Sequence, residues 1–65
     1  MVLGQGNALH GLGRVYMERS QLKDAKHMFE QALTKHKQAK ATIWQGLDKE
    51  YLDRVLSKMD HASKK

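Results

Sequence analysis

Sixty-five residues suffice for one domain with a thin core, since a chain this short buries only about 60% of the surface it exposes when unfolded. It has no cysteine, which excludes a disulfide framework, and no proline; helix formers dominate and runs of β-branched and aromatic residues are missing, so an all-α fold is expected. Twelve Lys and Arg against seven Asp and Glu give +5, a balance that favours acidic partners, and no apolar run approaches the roughly 20 residues of a bilayer span.

The N-terminus lacks the basic region and long apolar core of a secretory signal, so a cytoplasmic, soluble protein is expected. Residues 1–6 hold two glycines without periodicity and read as a flexible lead-in. Asn7 is placed to cap a first helix running from about Ala8 to Arg19, whose stripe is Leu9, Leu12, Val15 and Tyr16. Ser20-Gln21 breaks the pattern. A second helix follows from about Leu22 to Lys37, with Leu22, Ala25, Met28, Phe29, Ala32 and Leu33 on one face. A link this short makes the pair an antiparallel hairpin.

A third helix is predicted from about Ala41 to His61, with Thr42 as a candidate cap. Its stripe is Trp44, Leu47, Tyr51, Leu52, Val55, Leu56 and Met59, while Asp48, Lys49, Glu50, Asp53 and Arg54 cover the opposite side. Trp44 is expected to anchor this helix against the second. The lysine- and alanine-rich stretch around Gln38–Lys40 leaves open a single continuous helix in place of the second and third. Residues 62–65 read as a frayed basic tail.

Leu9-x2-Leu12-Gly13-x2-Tyr16 followed by Ala25-x3-Phe29-x2-Ala32-Leu33 resembles the tetratricopeptide (TPR) signature over residues 6–39, with Leu9 in place of its tryptophan and Lys37 in place of its proline. The small residues Gly13, Ala25 and Ala32 would let two backbones approach, with Leu12, Tyr16, Phe29 and Leu33 filling the core. The first-helix spacing recurs faintly in Trp44-x2-Leu47-x3-Tyr51, where Asp48 replaces the glycine, so the third helix resembles the cap of a TPR array. The resemblance implies a protein-interaction scaffold, the C-terminal unit of a longer TPR protein or a unit that self-associates through its exposed flank. It also implies a ligand groove lined by the first helix, with Asn7, His10, Arg14 and Met17 as contact residues. His10 and Arg14 form a cationic step suited to an acidic peptide.

No motif calls for a cofactor. The four histidines have no i, i+4 pair and are expected at the surface, not on a metal. Gly4-x-Gly6 follows no strand, and no nucleophile–base arrangement is present, so no enzyme is expected. The run Lys35-His36-Lys37-x2-Lys40 supports an alternative, a small basic helical nucleic-acid binder, which the interspersed Glu30, Asp48, Glu50 and Asp53 weaken. Acidic residues in the third helix likewise weaken its reading as a calmodulin target.

Overall fold

A computed structural model describes the backbone of residues 2–63 and the side chains of residues 4–61. The fold is all-α: helix α1 spans Val2–Glu18, α2 spans Leu22–Gln38 and α3 spans Thr42–Ser63. Helix α2 is central. It packs broadly against α1 on one side and α3 on the other, whereas α1 and α3 meet through a few side chains.

The same corner joins each pair of helices. At the end of α1, Ser20 N–H donates to the Met17 carbonyl (3.0 Å) and Gln21 N–H to that of Tyr16 (2.9 Å). At the end of α2, Lys40 N–H donates to Lys37 (3.1 Å) and Ala41 N–H to His36 (2.9 Å). Both are Schellman closures, which satisfy otherwise orphaned carbonyls through one left-handed residue. Ser20 (φ 61°) and Lys40 (φ 56°) occupy that position without being glycine. Lys40 therefore ends α2, and the second and third helices are separate. Gln21 and Ala41 then accept the first amide of the next helix, from Ala25 and Gln45 (3.0 Å each).

The α1–α2 interface is set by glycine. A Cβ on Gly13 would lie 2.8 Å from the Phe29 ring, and one on Gly6 would lie 2.6 Å from His36 Nε2. The two pairs share one antiparallel register, seven residues apart on each helix. Ala25 and Ala32, fully buried, add further small residues on α2. Phe29 packs with Ala25 and Val55, and Tyr16, Met17, Leu22, Tyr51, Leu52 and Met59 surround this cluster.

Several expectations are corrected by this packing. Residues 2–6 belong to α1 and are not a flexible lead-in; Met1 lies outside the described residues. Asn7 is consequently a mid-helix residue and not an N-cap. Thr42 is the first residue of α3, following Ala41. Ser63 is helical, and the expected fraying of Lys64 and Lys65 falls outside the described residues.

Leu12 is 47% exposed rather than buried, and Leu33 and Tyr16 are half-buried. The cause is rotation of α1. Phe29 sits over Gly13, so the buried stripe runs Gly6, His10, Gly13 with Met17 beside it, and Leu12 is turned roughly a quarter of the circumference away at 100° per residue. His10 and His36 are interior, not superficial, and so is Asp48; His27 and His61 are exposed as expected.

Candidate functional site

Two features combine chemistry-bearing side chains from more than one helix. The first is interior. Asp48 of α3, fully buried, receives an imidazole on each carboxylate oxygen: His10 Nδ1 of α1 donates to Oδ1 at 2.8 Å, and His36 Nδ1 of α2 donates to Oδ2. His36 Nε2 reaches Asn7 Oδ1 of α1 at 2.8 Å. One carboxylate thus ties all three helices together.

Aromatic rings enclose these groups. His36 stacks on Trp44 with centroids 5.2 Å apart and planes 17° from parallel. His10 presents or receives ring edges from Phe29, Trp44 and Tyr51 at 5.2, 5.4 and 4.9 Å. Trp44 is half-buried against His36 of α2, the anchoring role its spacing suggested.

Every buried side-chain nitrogen and oxygen among the described residues has a partner. That matters because an unpaired polar group costs about 1–3 kcal/mol in such a setting, and an unpaired charge more. The cluster has two imidazoles and a carboxylate but no nucleophile, and its atoms bond one another. Among the described residues no group of His, Cys, Asp or Glu is arranged to hold a metal.

The second feature is an open groove between the end of α1 and the middle of α3, lined by Met17, Glu50, Asp53, Arg54, Ser57 and Lys58. Beside it, two guanidinium groups flank the Tyr51 ring: Arg14 at 5.6 Å and Arg54 at 4.9 Å from its centroid. Arg54 also pairs with Glu50 at 3.3 Å, one helical turn away on an exposed surface. Such a pair adds only about 0.3–0.5 kcal/mol, so Glu50 can be exchanged for another anion at little cost. Leu47 and the 82% exposed Ile43 lie on the same flank of α3 as Arg54, at i−7 and i−11.

The four residues assigned to ligand contact divide between these features. Met17 and Arg14 face the groove region, Met17 half-buried and Arg14 exposed over Tyr51. His10 faces the interior, 5% exposed and bonded to Asp48. Asn7 has an exposed side chain whose oxygen accepts from His36. Sequence reasoning placed Asp48 and Arg54 on the solvent side of the third helix, Tyr51 in its apolar stripe and His36 in a basic run, and assigned none of them to these features. One signal was available: Trp44, Asp48, Leu52 and Val55 follow i, i+4, i+8 and i+11, a stripe that a solvated aspartate would not share.

No helix among the described residues is long and apolar enough to cross a membrane. Comparison with protein-family models, curated proteins and solved structures returns no match to this chain.

Proposed function

We infer that the chain is a protein-interaction module of TPR type, binding an acidic segment of a partner protein in the groove between α1 and α3. The groove beside the Arg14–Tyr51–Arg54 arrangement carries this reading. Two guanidinium groups held over one ring supply directed donors for carboxylates, and Met17, Leu47 and Ile43 supply apolar surface along the same side. A basic overall balance of +5 speeds encounter with an acidic chain. The role is binding, not catalysis. Gly13 against Phe29 gives the close helix crossing that the signature residues imply for a TPR hairpin. Self-association through the outer flank of α1, where Leu12 and Val15 are 47% and 43% exposed, belongs to the same reading.

The test is an NMR titration of the isotopically labelled chain with a peptide alternating glutamate and leucine, with its lysine counterpart and a short DNA duplex as comparators. Shifts in Arg14, Met17, Tyr51 and Arg54 with the glutamate peptide alone support the proposal. Binding of the duplex at Lys35–Lys40, falling steeply with salt, would instead establish the nucleic-acid reading.

A further inference from the structure

We propose that the His10–Asp48–His36 cluster is a proton-sensitive latch that holds α3 on the α1–α2 hairpin and loosens it in mild acid. The proposal is independent of what the groove binds. It rests on the hydrogen-bond arrangement: Asp48 has two carboxylate oxygens, each already accepting from an imidazole Nδ1–H. His36 also donates from Nε2 to Asn7 Oδ1, so it donates from both nitrogens and carries the imidazolium charge. One positive and one negative charge then balance in a site closed to water.

A second proton has no compensated place. On His10 it would set two imidazolium groups against one carboxylate, with His10 only 5% exposed. On Asp48 it would leave a carboxylic acid facing two N–H donors, and one of the two bonds would be lost. The surrounding charges do not help. Arg14 of α1 and Arg54 of α3 both sit over Tyr51, whose ring touches His10, and only the exposed Glu50 offsets Arg54. From α2 the facing titratable group is His36 itself.

With α3 released, both imidazoles are solvated and take protons below about pH 6.5. Well below that pH the open form holds two protons on these rings against one in the closed form, so the closed form loses stability as pH falls. Above it the sign reverses, because the open form gives up the proton that His36 keeps in the closed form. A one-proton difference changes the equilibrium by up to about tenfold per pH unit.

Trp44 is the only tryptophan and stacks on His36, so its emission reports on the latch. Urea unfolding followed by Trp44 emission should be compared at half-unit steps between pH 6.5 and 5, for the parent chain and for His10→Gln, which keeps an N–H donor but accepts no proton. The expected result is a folded-to-unfolded ratio that falls by several-fold to tenfold per pH unit in the parent and does not fall in His10→Gln, which has no second ring to take up a proton on opening. Equal slopes in the two proteins, or a flat parent, would overturn the proposal. Should His10→Gln not fold, the His10 Cε1–H NMR signal of the parent decides. The latch requires His10 to remain neutral in the closed population down to the pH at which Trp44 is released, and a signal that titrates with Trp44 still in place would refute it.

Discussion

A Cβ on Gly6 would stand 2.6 Å from Nε2 of His36, closer than real Cβ contacts come. The absent side chain of one residue is what lets the ring of the other reach Asn7 and Asp48. Gly6→Ala should therefore destabilise the fold by about 1–3 kcal/mol, the range for overfilling a packed site. The partner ring is fully buried and bonded at both nitrogens, so it cannot swing aside. Chemical denaturation of the variant measures this, and an unchanged urea midpoint would show that the helices do not meet at Gly6.

Gly13→Leu should have the larger effect, because its Cβ alone would lie 2.8 Å from Phe29 and the remaining carbons would enter the centre of the core. Loss of cooperative thermal unfolding is expected. Gly11→Ala supplies the contrast: nothing lies within 4 Å of its Cβ, and alanine should stabilise α1 by about 0.5–1 kcal/mol. The two substitutions fall two residues apart and should shift the melting temperature in opposite directions.

Ser20→Gly and Lys40→Gly should each raise stability by a few tenths to about 1 kcal/mol. Both residues hold a left-handed conformation that costs an L-amino acid about 1–2 kcal/mol and glycine far less. The gain is reduced because glycine also loses more freedom on folding. Differential scanning calorimetry of the double variant should show two nearly additive increments, since the corners lie at separate helix ends.

Asp48→Ala should cost about 3–5 kcal/mol, because it leaves two buried imidazole N–H donors without the carboxylate that pairs them. For a domain this small that is enough to abolish folding at ordinary temperature. The far-ultraviolet circular dichroism spectrum settles it: a helical spectrum with a cooperative melt near the parent's would mean that Asp48 contributes little.

Arg14→Glu combined with Arg54→Glu should abolish binding of the glutamate–leucine peptide while leaving a folded chain whose melting temperature drops by about 5–15 °C. Both side chains are exposed and their ring contacts contribute about 0.5–1 kcal/mol each. Retained peptide affinity, measured by isothermal titration calorimetry, would remove the arginines from the proposed site.

Helix existence was legible because period and composition agree, although the sequence leaves open the break between the second and third helices. The Gly13–Phe29 crossing was legible because small and large residues alternate at fixed spacing. The start of α1 was not. Gly4 and Gly6 read locally as helix breakers, and only the tertiary contact between Gly6 and His36 gives Gly6 its place. Asp48 was hidden for a related reason. Its charge assigns it to solvent unless both histidines are known to face it, and they lie 38 and 12 residues away in sequence. Of the groove, Arg14 and Met17 were legible from their position on the first helix. Tyr51 and Arg54 were not, because the side of α3 that meets α1 follows from how α3 leaves the corner at Lys40.

The central position of α2 determines where this chain tolerates change. Substitutions in α1 or α3 meet one broad interface and leave an outer surface free to vary, whereas those in α2 are felt on two sides. Saturation mutagenesis scored by folding should concentrate its intolerance along α2, at Ala25, Phe29, Ala32 and His36, joined from the flanking helices by their contacts Gly13 and Asp48, and show its widest latitude on the outward surfaces of α1 and α3, around Val15 and Ser57.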